Sequence, residues 1–222
     1  ALQKQLKGNQ YLQVKTVFSH LAASEAAKHD AFTQSQLQLF LKMSDALQEV
    51  VNYRLSRHIA NTAAIARFPE AQLDMVRLGI GMYGIAVAGT ENLQQVGTLK
   101  TTVTQLKTMK AGTTVGYGRS GTTQRDTVIA TVKIGYADGL FRALGNGKGF
   151  MMINNQQAAI IGSVCMDMCM LDVTGLDVAE GDEAIVFGSN PSIEQVAAAA
   201  GTIPYEILTS VSQRVKRVYY YE

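Results

Sequence analysis

The sequence changes texture at Gly89, and that change constrains the fold more than any single motif. Before it, short apolar runs alternate with helical segments; after it, β-type segments follow one another between turn signals. Residues 14–18 read as a strand. Residues 31–51 read as an amphipathic helix, with Phe32, Leu37, Phe40, Leu41, Leu47 and Val50 at spacings of three, four and longer. Residues 53–59 form a second predicted strand, 61–68 a short helix stopped by Pro69, and 75–80 a third strand. Strands separated by helices pair in parallel. Three of them cannot close a TIM-type barrel, which needs eight, so they make a barrel's last arc or a small open sheet.

The second texture predicts strands over 99–109, 127–134, 149–153, 158–170 and 183–187. Turns fall at Lys110-Ala-Gly, Asn146-Gly147, Asn154-Asn155 and Glu180-Gly-Asp. The expected fold class is therefore α/β over residues 1–89, followed by a mainly antiparallel β-domain over 90–222. One helix interrupts the latter at 193–200, with Ser192 as N-cap, Gln195 completing a capping box and Gly201 as the stop.

Composition narrows the class of function. At 222 residues, 47% hydrophobic and 17% charged, the chain has enough apolar content for an extended core. A net charge of +2 with scattered Lys and Arg makes no case for nucleic acid or a membrane surface. The terminal Arg214, Lys216 and Arg217 alternate with valines and read as a strand with one solvated face. Two cysteines and no charged-then-apolar leader point away from a disulfide scaffold or secretion, and a cytoplasmic address is the default expectation. No apolar run approaches the roughly 20 residues of a membrane span. The opening lacks methionine and runs quickly into a buried-looking strand, as expected of an excised or processed piece.

Four clusters carry possible chemistry. Arg57-His-Ile-Ala-Asn-Thr-Ala-Ala sits where a strand passes into a helix, a place where α/β proteins bind anions. Thr62 is a candidate phosphate ligand there, or Asn61 and Thr62 simply cap the helix. In Met75-Val-Arg-Leu-Gly-Ile-Gly-Met-Tyr-Gly, Arg77 is a charge inside an apolar segment, so it meets either a ligand or a carboxylate such as Asp74 or Asp138. In Thr114-Val-Gly-Tyr-Gly-Arg-Ser-Gly, Tyr117 is held between glycines, as acid–base catalyst or as a turn tyrosine packed on a neighbour. Finally come Ile134-Gly-Tyr-Ala-Asp-Gly and Gly162-Ser-Val-Cys-Met-Asp-Met-Cys-Met. Strand alternation would put Cys165, Asp167 and Cys169 on one face and three methionines on the other, which suits core packing better than a metal site.

Taken in order, HIANTAA, MVRLGIGMYG, VGYGRSG, IGYADG, VCMDMCM, IPYEI and the closing RVKRVY, together with FSHLAASE near the start, resemble the alanine racemase family along essentially the whole chain. That resemblance implies a pyridoxal 5'-phosphate (PLP) enzyme with an N-terminal (β/α)8 barrel and a C-terminal β-domain. It implies a head-to-tail homodimer whose two bases, a Schiff-base lysine and a tyrosine from the partner subunit, face opposite sides of the α-carbon of a small amino acid, alanine. The reaction implied is interconversion of L- and D-alanine, supplying D-alanine for peptidoglycan. By motif position Tyr117 is the tyrosine base. Arg77 faces the pyridine nitrogen, supported by His58. Thr62, Gly79, Ile80 and Tyr205 hold the phosphate with Asn61 beside them, Met166 holds the substrate carboxylate with Asp167 next to it, and Tyr136 narrows the entrance, with Arg142 further out.

The chain departs from the family in two ways. Ser163 stands where relatives often carry arginine, which leaves room for a serine or broad-specificity racemase. No segment resembles the Val-Lys-Ala-Asn-Ala-Tyr-Gly-His-Gly type of motif that carries the cofactor, and the substrate-binding arginine and the histidine that supports the tyrosine are also missing. The resemblance therefore covers the C-terminal half only, and this chain is expected to be inactive alone. The alternatives are a racemase domain of a larger fusion and a non-catalytic fragment that dimerises through its β-domain.

Overall fold

A computed structural model describes residues 2–87 and 92–220. The expected boundary between residues 89 and 90 lies outside the described residues. The chain forms two compact units, Ala1–Val96 and Gly97–Glu222.

In the first unit a short helix α1 (Leu2–Leu6) precedes β1 (Thr16–Phe18), which pairs in parallel with β2 (Ser56–His58), Val17 opposite Arg57 and Phe18 opposite His58. The connection runs through α2 (Asp30–Gln48). Its inner stripe is Thr33, Leu37, Phe40 and Ser44, one residue per turn; Phe32 lies on the outer face. Leu37 and Phe40 pack with Leu21, Ile59, Ala60, Ala64, Phe68 and Ala71 into one buried cluster. Helix α3 (Thr62–Arg67) starts at Asn61, whose side-chain oxygen accepts from the Ala64 amide at 3.0 Å and from the Ser24 hydroxyl at 2.8 Å. Arg67 ties its last turn to Asp30 and to the Ser24 carbonyl.

The expected third strand over 75–80 is not a strand. The Asp74 amide donates to the Arg57 carbonyl and the Arg77 amide to the Ala60 carbonyl, so the segment runs past β2 on two isolated bonds without a ladder. It then winds into a 3-10 turn, Ile80–Tyr83. What the first unit displays is one parallel strand pair with its helices.

The second unit is a closed antiparallel barrel of six strands: β3 (Leu99–Met109), β6 (Thr127–Val132), β7 (Phe150–Ile153), β8 (Gln156–Ile161), β9 (Cys169–Asp172) and β10 (Glu183–Phe187), in the order β10-β3-β6-β9-β8-β7. Closure leaves no free edge. Register brings buried residues opposite one another in rows: Val103, Val132 and Cys169 in one, Ala130, Leu171 and Ile160 in another, with Met151 against Ala158 and Ile153 against Ala184. These inward positions alternate with outward ones along β7, β8 and β9, which is the period-two pattern legible in the sequence. The expected turns occur where Gly112, Asn146, Gly147, Asn154, Asn155 and Gly181 adopt positive φ.

A two-stranded hairpin, β4 (Thr114–Val115) with β5 (Gly121–Thr122), stands on this barrel. Helix α4 (Ile193–Ala200) has the capping box at Ser192 and Gln195 and ends at Gly201; α5 (Pro204–Ser210) follows. Two expectations fail here. The single strand over 158–170 is two strands with a loop, 162–168, between them: Gly162 turns at φ +73° and the Cys165 amide closes on the Met168 carbonyl at 2.9 Å. The expected sharing of one strand face by Cys165, Asp167 and Cys169 goes with it. The tail containing Arg214, Lys216 and Arg217 is turn and coil, because Arg217 folds back onto the carbonyls of Val211, Ser212 and Val215. No helix among the described residues is long and apolar enough to cross a membrane.

Candidate active site

Six of the named residues gather in the first unit, at the C-terminal end of the parallel pair. Arg77 lies at the centre. One terminal nitrogen donates to His58 Nδ1 at 2.8 Å and to the His58 carbonyl at 3.2 Å; the other bonds the carbonyls of Ser19 at 2.7 Å and Ile59 at 3.3 Å and contacts His20 Nδ1 at 3.3 Å. Its guanidinium carbon stands 5.4 Å from the centre of the Phe18 ring, which stacks on His58 at 5.3 Å. The ion pair with Asp74 or Asp138 envisaged from sequence does not form. Asp74 bonds Arg54 and the Arg57 amide, and Asp138 bonds Arg214. Arg77 thus keeps its charge among neutral acceptors, and its Nε–H meets no acceptor among the described residues.

Arginine has no acceptor, so His58 Nδ1 must receive the bond, which fixes the tautomer with the proton on Nε2. Burial, and then the charge of Arg77, hold the His58 pKa below the ordinary 6.5. In the unfolded chain His58 takes up a proton near pH 6.5; folded, it does so only at lower pH. Stability from this site is therefore complete above pH 6.5 and declines as pH falls below it. Melting temperatures from pH 8 to pH 5 are expected to fall more steeply for the native chain than for His58→Gln, and parallel curves would contradict the assignment.

Beside this cluster the Thr62 hydroxyl, buried at the start of α3, accepts from the Gly79 amide at 3.0 Å, and Ile80 begins the 3-10 turn directly after. Asn61 is occupied as cap. His58, Asn61, Thr62, Arg77, Gly79 and Ile80 therefore form one neighbourhood. Tyr205 is elsewhere in the chain's second unit, in the first turn of α5.

In the second unit, Tyr117 projects from the hairpin tip on a 3-10 turn, Tyr117–Arg119, between Gly116 and Gly118, both at positive φ; its ring is 77% exposed. Arg119 turns away, its Nε bonding the Thr114 hydroxyl at 3.2 Å. Tyr117 lines an open cavity of about 400 Å³ with Met166, Asp167, Cys165, Met168 and Met170. Ser120 on the hairpin and Ser163 on the 162–168 loop share a hydroxyl bond at 2.7 Å. Tyr136 and Ala137, on the next loop, donate their amides to the carbonyls of Cys165 and Met166, both at 3.0 Å. Arg142 opens an exposed turn further along. Cys169 is not a wall of this cavity: it lies inside the barrel, where burial, with Cys165 nearby, pushes its thiol up to about 12.

Sequence reasoning missed the Ser19 carbonyl, His20 and Phe18 around Arg77. Pairing of residues 16–18 with 56–58 would have found Phe18, which stands opposite His58. It also missed Arg214, whose partners are 76 and 47 residues away.

The α/β unit carries an arginine–histidine–threonine cluster and is joined in sequence to an antiparallel barrel that presents a tyrosine, and the solved chains that this fold resembles are amino-acid racemases. The structure of "Alanine Racemase from Streptomyces coelicolor A3(2)" matches with a TM-score of 0.90 at 33% identity, over 100% of this chain and 60% of that one. The alanine racemase from Bartonella henselae "with covalently bound pyridoxal phosphate" matches at 0.86 and 33% identity, over 98% of this chain and 61% of that one. Curated alanine racemases from Desulfosudis oleivorans and Clostridium tetani are 40% and 39% identical, each over 94% of this chain and 55% and 56% of their own lengths. The family description "Alanine racemase, N-terminal domain" matches residues 1–87, and "Alanine racemase, C-terminal domain" matches residues 96–219. The chain belongs to the alanine racemase family. It spans little more than half the length of the curated relatives it matches.

Proposed function

We propose that the complete protein containing this chain is a PLP-dependent alanine racemase, interconverting L- and D-alanine by two bases, and that this chain supplies one of them, Tyr117. The observation that carries the reading is the set of donors around Arg77. A guanidinium hydrogen-bonded to carbonyls and imidazoles, with no acceptor for its Nε–H among the described residues, together with a threonine hydroxyl and the Gly79–Ile80 backbone, suits a ligand that combines a basic ring nitrogen with a phosphate. It suits a cation or an apolar ligand poorly. Arg77 would face the pyridine nitrogen, with neutral His58 keeping the guanidinium in place. Thr62, Gly79 and Ile80 would hold the phosphate, a role that the family resemblance also gives to Tyr205.

Bound PLP supplies the electron sink that acidifies the substrate's Cα–H. A guanidinium is a donor only, so Arg77 would hold a ring nitrogen facing it in its unprotonated form, which would weaken that sink and favour return of the proton to carbon. Tyr117 would take or return that proton on the L side of the α-carbon, and the exposure of its residue at the hairpin tip supports its entry into a partner's site. The Met166 amide would bind the substrate carboxylate and Tyr136 would narrow the approach to a methyl-sized side chain. The first unit would be the last arc of a (β/α)8 barrel, residues 90–222 the β-domain, and the assembly a cytoplasmic homodimer with shared sites. The opposing lysine, which would also carry the cofactor, lies outside this sequence, so the chain by itself is inactive.

The test is racemisation of alanine by the complete protein purified with PLP, followed by chiral analysis of product alongside a panel of serine and basic amino acids. Turnover of alanine above the others is expected, with none by residues 1–222 alone. Faster turnover of serine would move the substrate assignment, for which Ser163 is the residue to examine. No turnover of any amino acid would overturn the reading.

A further inference from the structure

The cavity that Tyr117 lines has most of its other walls on the loop 162–168, which packs against a second loop, 135–139, and the register of the two decides where Met166, Asp167 and Tyr136 stand. Backbone bonds from Tyr136 and Ala137 to Cys165 and Met166 join them on one side. On the other side one guanidinium reaches both: Arg214 Nε donates to Asp138 Oδ1 at 2.7 Å and Nη2 to Asp167 Oδ1 at 2.6 Å. Asp138 is a fixed anchor. Its side chain is only 15% exposed, its second oxygen accepts from the Gly135 amide at 2.9 Å, and its carbonyl accepts from the Ser212 amide two residues before Arg214. Its carboxyl, which burial alone would raise, is held below the usual range by Arg214 and Gly135. Asp167 is the exposed end, with 55% of its side chain accessible, and it lines the cavity.

Exposed ion pairs usually contribute little, since two flexible chains must be ordered to form them. Here one partner is already ordered by its bonds from the Gly135 and Ser212 amides, so the fork transmits that order to the other. An unpaired carboxylate at Asp167 would also repel an anionic substrate group at the Met166 amide. Tyr136, Met166 and Asp167 were recognisable in the sequence, and nothing there connected them to the tail.

We propose that Arg214 is a positioning residue: by bridging Asp138 and Asp167 it holds the loop of Met166 and Asp167 against the loop of Tyr136 and neutralises Asp167, so that the cavity accepts a carboxylate. The proposal rests on the racemase reading for its substrate, while its structural half stands on the second unit alone. A lysine cannot span two carboxylates as a planar fork does.

The experiment uses the complete protein with Arg214→Met, Arg214→Lys and Asp138→Asn, the last keeping an acceptor while removing charge. KM for alanine is expected to rise about tenfold in both arginine variants with kcat altered less than about threefold, the signature of weakened ground-state binding. Amide hydrogen exchange should accelerate at 135–139 and 163–168 while β3, β6 and β9 keep native protection. Unchanged KM, full rescue by Arg214→Lys, or acceleration spread evenly over the barrel would overturn it, the last by showing a merely structural residue. If Arg214→Met does not fold, Arg214→Lys and Asp138→Asn decide by the same criteria. Should the native protein racemise nothing, the function fails by itself and the exchange pattern still decides the role of Arg214.

Discussion

Replacing Tyr117 with phenylalanine in the complete protein is expected to lower kcat for L-alanine by about 10²- to 10⁴-fold, the range by which a positioned acid–base group accelerates proton transfer. The substitution removes one oxygen from a side chain that is 77% exposed and packs into no core, so the fold should be unaffected. The loss should be asymmetric. Exchange of the α-hydrogen with solvent should nearly vanish from L-alanine and persist from D-alanine, because the opposing base is untouched. The measurement is deuterium incorporation into each enantiomer under single-turnover conditions. Equal loss from both would mean that Tyr117 helps to shape the site without carrying the proton, and preserved racemisation would remove it from the chemistry.

How far the sequence disclosed this arrangement follows from the range of the interactions involved. β3 was legible to its ends because its alternation is local and a glycine turn follows it. Helix 193–200 was legible because its cap lies within three residues of itself. The segment at 75–80 was misread because its conformation is set by bonds from Asp74 and Arg77 to the Arg57 and Ala60 carbonyls, and from the Arg77 side chain to Ser19, 58 residues away. The loop at 162–168 was misread as strand because cysteine and methionine fit either. What bends it is Gly162 and a neighbouring loop that takes up its carbonyls. Arg214 alternates with valine as a strand residue would, and only its two distant carboxylates place it otherwise. The candidate residues were therefore nameable from motifs, while the contacts that support them were not, because they reach across the fold.

Those supports make a second large effect predictable at a residue outside every motif role. A Cβ added at Gly135 would lie 2.3 Å from the Met166 carbonyl oxygen and 2.4 Å from that of Cys165, both backbone atoms. Neither can rotate aside, so Gly135→Ala must part the two loops. Overpacking of this kind costs about 1–3 kcal/mol, and loss of the two amide bonds from Tyr136 and Ala137 adds roughly 1 kcal/mol each, so destabilisation of about 3–5 kcal/mol is expected. Denaturant unfolding of the complete protein measures it through the midpoint. In whatever folded protein remains, KM for alanine should rise, because the Met166 amide and the Tyr136 ring move apart. A loss below about 1 kcal/mol would show that the loops yield freely, and the close approach would then not be what fixes the mouth of the cavity. Steric contact at Gly135 and the ionic bridge at Arg214 act on the same pair of loops. Arg214→Met combined with Gly135→Ala should therefore cost less than the sum of the two single changes, since loops already parted by the methyl group have no register left for the arginine to hold.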